Sequence, residues 1–199
     1  MNVQLLTRGF AAHCTENRKP DKDQVVVGLH DREAIESSIS RHDIVQFHDH
    51  PDFKNIGEYS RYDYSILELV EPIYFKPEAK AVFLPKKGQE FNKDDKFLVS
   101  GWGALESQGH WWGSSKLMSV TVPWVSDEDC KAAYAEPKVQ PDGTSIKYEI
   151  DESMICAGDI KVGKIDACNG DSGGNNMHSS RQIFCPLMLI VILAYYKGS

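Results

Sequence analysis

Asp166-Ala167-Cys168-Asn169-Gly170-Asp171-Ser172-Gly173-Gly174 sets an aspartate and a serine among three glycines. Packing rarely requires such an arrangement. Glycine adopts backbone conformations closed to other residues and lets amide groups approach a bound molecule closely. Outward from this stretch, two shorter segments belong with it: Ala11-Ala12-His13-Cys14 near the start, and Asp63-Tyr64-Ser65-Ile66-Leu67 between the two. Alone, a histidine beside a cysteine reads as structural or incidental, and the aspartate segment carries less still. The glycine-framed Asp171-Ser172 pair is the strong signal.

Taken in order, the three segments resemble the histidine, aspartate and nucleophile motifs of the trypsin-like serine peptidases. The order His, Asp, Ser is also that family's, and differs from the orders in subtilisins and α/β-hydrolases. Ser100-Gly101-Trp102-Gly103, Ile155-Cys156-Ala157-Gly158 and the His50-Pro51 turn match as well, so the resemblance runs from about Thr7 to Gly174. It implies an all-β fold of two antiparallel Greek-key six-stranded β-barrels, both incomplete here, within a single peptidase domain. Residues 1–90 would form a partial N-terminal barrel, residues 91–174 a partial C-terminal barrel, and residues 175–199 a divergent apolar tail.

The resemblance also implies the chemistry. Ser172 is the expected nucleophile, His13 the base that takes its proton and later delivers it to the leaving amine, and Asp63 the group that holds the imidazole tautomer. The backbone N–H groups of Gly170 and Ser172 are the expected oxyanion hole. Asp166, six residues before Ser172, matches the acid at the base of the primary specificity pocket in trypsin-type members, and implies cleavage after Arg or Lys. An ordinary turn role is the alternative for Asp166. Asn169 falls at the pocket rim. No metal and no organic cofactor is expected.

Departures from the family pattern carry expectations of their own. Relatives begin with a processed terminus whose ammonium pairs with the aspartate next to the nucleophile, here Asp171. Only 12 residues precede His13, so that terminus is absent from this chain, and Asp171 is expected to lack its cation. Beyond Ser172, 27 residues remain, and the family's later pocket strands are not recognisable in them. Of the five cysteines, Cys130 and Cys156 match a pair that is bridged in relatives. Cys14 and Cys168 match residues whose partners lie outside this sequence, and Cys185 has no counterpart. A fragment or alternatively spliced version of a secreted peptidase accounts for these features together.

Composition narrows the function classes. The chain has 199 residues, 41% hydrophobic and 26% charged, which suits a globular protein, and its formal net charge is −7. That charge, with no run of Lys or Arg, argues against nucleic acid or an anionic membrane as a partner, since both call for a basic face. Met1 to Arg8 lacks a basic segment followed by an apolar one, so no secretory signal is recognisable, and an extracellular location rests on the resemblance. All 29 acidic residues precede Asn175. Phe184 to Tyr196 is almost wholly apolar but spans 13 residues, against roughly 20 for a membrane helix. A buried strand or a sticky non-native tail are the two readings of it.

Strands are expected at Val25–Leu29, Ile39–Phe47, Ser65–Val70, Phe97–Ser100 and Leu117–Val125, with turns at Asn55-Ile56-Gly57, Lys86-Lys87-Gly88 and Pro141-Asp142-Gly143. Ser126, followed by Asp127-Glu128-Asp129, signals a capped helix. His48-Asp49-His50 reads as a solvated turn, because adjacent side chains rarely converge on one metal ion. Trp111-Trp112 reads as a binding ledge or, equally, as an exposed loop or a packing anchor. The expected function is a monomeric endopeptidase acting on protein or peptide substrates, and open to protein peptidase inhibitors. The alternatives are a non-catalytic homologue that binds without turnover, or an inactive truncated product.

Overall fold

Alternation decides the first sheet. The computed structural model describes residues 4–34, 39–57, 59–77, 79–80, 85–86, 88–105, 113–139, 142–159, 171–172, 175–178, 183–184 and 189–192. Its strands begin with β1 (Gln4–Phe10), β2 (Gln24–Val27), β3 (Ser40–Asp49), β4 (Lys54–Asn55), β5 (Ser60–Arg61) and β6 (Ser65–Tyr74). Along β6 the side chains of Ser65, Leu67, Leu69 and Ile73 turn inward. Leu67, Leu69 and Ile73 meet Val25, Val27 and Ile44 in one apolar cluster, as the two-residue period of a half-buried strand requires. The sheet order is β1-β6-β3-β2, antiparallel throughout. Register shifts between Leu5 and Thr7 and between Ile44 and Gln46 bend it, which is what a bulge does to a strand.

The pairing of β1 with β6 has a chemical consequence. Phe10, the last residue of β1, sits opposite Ser65, the first of β6. The chain leaving β1 therefore reaches His13 beside the chain that enters β6 from Asp63. A single 3-10 turn over Ala12–Cys14 follows the strand and aims the histidine.

The second sheet is built from β7 (Lys96–Gly101), β8 (Met118–Val125), β11 (Met154–Ala157), β12 (Asn175–His178), β13 (Ile183–Phe184) and β14 (Leu189–Ile192), in the order β13-β12-β7-β8-β11-β14. Before β11 lie the helix α1 (Asp127–Ala133) and a two-stranded hairpin of β9 (Lys138–Val139) and β10 (Ser145–Ile146). Phe97, Val99, Val122, Ile155 and Ala157 form its core. Ser126 caps α1, its Oγ accepting the Asp129 N–H at 3.0 Å, where the acid-rich first turn announces the helix. Cys130 of α1 is bonded to Cys156 of β11, with their Cα atoms 6.3 Å apart. This is the bridge that the family resemblance implies. Gly57 and Gly143 take φ values of 90° and 85° at two of the expected turns, a region that favours glycine.

Two features concern the last strands. Residues of the segment read as a divergent apolar tail, for part of which a strand is one of the two readings, contribute backbone to the second sheet on both edges, through β12, β13 and β14. The pairing of β11 with β14 is parallel, whereas the other strand pairs of the two large sheets are antiparallel. All four residues of β11 are buried, the pattern of a strand covered on both faces, and such strands accept parallel neighbours. Cys168, Cys185, Lys87, Trp111 and Trp112 lie outside the described residues. Among the described residues no helix is long and apolar enough to cross a membrane.

Candidate active site

Asp63 is the most deeply set charged group near the ends of β1 and β6, its side chain fully shielded from solvent. A buried carboxylate is costly unless hydrogen bonds and a charge meet it. Both of its oxygens are met by one residue. The backbone N–H of His13 donates to Asp63 Oδ1 at 2.8 Å, and His13 Nδ1 lies 2.5 Å from Oδ2. Gripped at backbone and ring together, the imidazole has its orientation decided, with Nδ1 toward the acid and Nε2 toward the opposite side. The Asp63 hydrogen bond, with a smaller contribution from Cys14, pushes the His13 pKa up from 6.5 to about 10, against the opposing effect of burial.

His13, Cys14, Asp171 and Ser172 line one cavity of about 1070 Å³, which also takes in the apolar inner side of the first sheet and Gly101 and Trp102 from the end of β7. The structure thus brings His13 and Asp63 into direct contact and places Ser172, which is exposed, at the same cavity. Within hydrogen-bond reach of Nε2 stands Cys14 Sγ, at 3.4 Å. Among the described residues there is no hydrogen bond between His13 Nε2 and Ser172 Oγ. Cys14 carries a free thiol here. Its place on the imidazole is a contact that the sequence does not signal, beyond the adjacency of the two residues.

Asp171 is half-buried, and its Oδ1 accepts the Gly103 N–H at 2.7 Å. The carboxylate expected to lack a cation is therefore held by a backbone amide. Glycines make that approach feasible. A methyl group at Gly101 would stand 2.1 Å from Asp171 Oδ1, and one at Gly103 would stand 2.5 Å from its Cγ. The Ser100-Gly101-Trp102-Gly103 motif leaves room for the Asp171 side chain. Its glycine pattern was the signal available for that role.

Asp166, Asn169 and Gly170, together with Gly173 and Gly174, lie outside the described residues. The three residues of the His48-Asp49-His50 segment go to separate partners. His48 Nε2 is 2.8 Å from Glu68 Oε2, Asp49 Oδ1 accepts the Thr15 hydroxyl at 2.8 Å, and the His50 ring stacks on Tyr62 with centroids 4.9 Å apart. No cluster of three or more His, Cys, Asp or Glu suited to a metal ion occurs among the described residues.

Comparison with known proteins adds to this geometry. The family model for trypsin matches residues 6–194. A vitellin-degrading protease of Bombyx mori is 32% identical over 173 residues, which cover 86% of this chain and 58% of the relative. The venom serine protease Bi-VSP of Bombus ignitus is 30% identical over 194 residues, covering 94% of this chain and 46% of the relative. The chain thus spans about half the length of the curated relatives it matches.

Proposed function

The chain belongs to the trypsin family of serine peptidases, and from that premise we propose that it is a serine endopeptidase cleaving after Arg or Lys through an acyl-enzyme on Ser172. The observation that carries the proposal is the two-point grip of buried Asp63 on His13 beside the cavity that Ser172 lines. Packing alone has no use for a shielded carboxylate spent wholly on one half-exposed imidazole.

In the proposed reaction, Ser172 Oγ attacks the substrate carbonyl carbon while its proton passes to neutral His13 Nε2. Asp63 balances the imidazolium that results. The tetrahedral oxyanion takes hydrogen bonds from the N–H groups of Gly170 and Ser172, one such donor contributing about 3–4 kcal/mol. The C–N bond then breaks as His13 returns the proton to the leaving amine. Water, deprotonated by the same imidazole, releases the acyl group and restores the Ser172 hydroxyl. Asp166 supplies the charge that selects Arg or Lys, with Asn169 at the rim. Protein peptidase inhibitors would occupy the same groove, and the working form is a secreted monomer.

Labelling with a fluorophosphonate probe tests this function, because the probe reacts with a serine activated by a base and oxyanion donors. Labelling of the folded chain, absent in Ser172→Ala, supports it. The Cys14 contact on Nε2 favours one rival, a non-catalytic homologue that holds peptides in the cavity without turnover. A folded chain that binds peptide and takes no label selects that rival. For specificity, Asp166→Ser is expected to abolish the preference for Arg/Lys ester substrates over neutral ones. An unchanged ratio of kcat/KM values would remove Asp166 from the pocket.

A further inference from the structure

Asp63 is preceded by a residue in an uncommon conformation. Tyr62 has φ of 50°, and it is the one non-glycine residue with positive φ among the described residues. A bulky side chain in that region is an outlier that persists where the surroundings over-determine it. Much of the surroundings here comes from residues 151–153, the turn that leads into β11. The Tyr62 backbone N–H donates to Ser153 Oγ at 3.1 Å, ninety-one residues away. Ser153 is buried, at 3% exposure. Its hydroxyl proton is already committed to Asp151 Oδ1, at 2.6 Å, and its backbone N–H donates to the same oxygen at 2.8 Å. With its proton so directed, the Ser153 oxygen faces Tyr62 as an acceptor.

The arrangement closes on itself. Asp151 Oδ2 accepts from Arg61 Nε, and Arg61 is the neighbour of Tyr62. The Tyr62 hydroxyl donates to Glu152 Oε1 at 2.6 Å, and the Tyr62 ring lies nearly parallel to His50, at 10°. On the far side of Asp63, the Tyr64 N–H donates to the Tyr62 carbonyl at 2.8 Å, and the Tyr64 carbonyl accepts the His50 N–H at 3.0 Å. Asp63 therefore projects from a backbone held on both sides, and its carboxylate arrives at His13 with little freedom left.

We propose that Ser153 is a positioning residue for Asp63: by accepting the Tyr62 N–H it locks the turn that aims the carboxylate at His13, and so ties the orientation of the His13 base to the second sheet. This rests on the endopeptidase function proposed above, and it adds a residue outside the motifs that define that function. A merely structural role for Ser153 would join the two sheets and leave the His13–Asp63 pair unchanged.

The test compares the full chain with Ser153→Ala, by NMR titration of His13 and by the rate and pH profile of fluorophosphonate labelling at Ser172. Loss of the acceptor frees the turn, so the His13 titration is expected to move down toward its ordinary range. Compared above about pH 10, where the imidazole is neutral in both proteins, labelling is expected to slow by roughly tenfold to a hundredfold, the scale on which small misplacements act. Ser153→Thr, which keeps the hydroxyl, is expected to recover most of both. A folded Ser153→Ala with the wild-type titration and labelling rate overturns the proposal, whatever its melting temperature. Should Ser153→Ala not fold, Arg61→Gln decides, because it loosens Asp151 from a partly exposed position. A His13 titration lowered in the same direction supports the proposal, and an unmoved one overturns it. A wild-type chain that takes no label counts against the endopeptidase function alone, since the His13 titration still reports on the positioning.

Discussion

Asp63→Asn is expected to lower the labelling rate of Ser172 by roughly 10⁴-fold, the size of the effect of the equivalent change in a well-characterised member of this family. The geometry supplies the reason. The His13 backbone N–H needs an acceptor at the place of Asp63 Oδ1, 2.8 Å away. An asparagine that turns its oxygen there presents its NH₂ to His13 Nδ1, which must then be the unprotonated nitrogen. The proton of the neutral ring moves to Nε2, the nitrogen that has to accept from Ser172.

The same substitution changes the response to pH. With Asp63 in place, His13 titrates at about 10, so the unliganded chain carries an imidazolium at neutral pH, faced by Asp63 and Cys14. An imidazolium cannot take the Ser172 proton. Labelling by the wild-type chain is therefore expected to climb with pH toward about 10. Stability follows the opposite course. A folded-state value above the unfolded 6.5 means that the ion pair contributes its full stabilisation below about pH 6.5, and loses it as pH rises through about 10. Melting temperatures should accordingly fall between pH 7 and 10 in the wild type, and much less in Asp63→Asn. Profiles that coincide for the two proteins would separate His13 from Asp63 in solution.

Phe97→Ala is expected to destabilise the chain by about 3–5 kcal/mol, the usual cost of emptying a buried aromatic site. Phe97 is wholly inaccessible and packs with Val99, Val122, Ile155 and Ala157, and its ring meets Phe91 edge-on with centroids 5.1 Å apart. It sits on β7, flanked by β8 and β12, so the surrounding backbone is paired on both sides and cannot collapse into the vacancy. For a chain of this size the loss corresponds to a melting temperature lower by about 10 °C, readable by circular dichroism. A shift under about 2 °C would mean that the second sheet is not packed as described.

Much of this was legible in the residues alone. Strands β2, β3, β6, β7 and β8 fall where apolar alternation and β-branched runs place them, and α1 begins at the serine that caps it. These are local properties, carried by neighbours in sequence. The resemblance of three motifs led to the His13–Asp63 pair and to the Cys130–Cys156 bridge. Strand β1 and the short pairs β4–β5 and β9–β10 were not legible, because their formation depends on a partner strand more than on their own composition.

By itself, then, the sequence determined the family and pointed to the residues proposed as its triad. Only the tertiary structure decided what holds those residues in place. Tyr62 takes its uncommon backbone conformation against Ser153, ninety-one positions away, Asp171 lodges its carboxylate on the Gly103 amide, and β14 joins β11 in parallel. Each of these is a contact between distant segments. Hydrogen-bond geometry and close packing between distant segments exist only once the chain has folded, and no local pattern of residues encodes them.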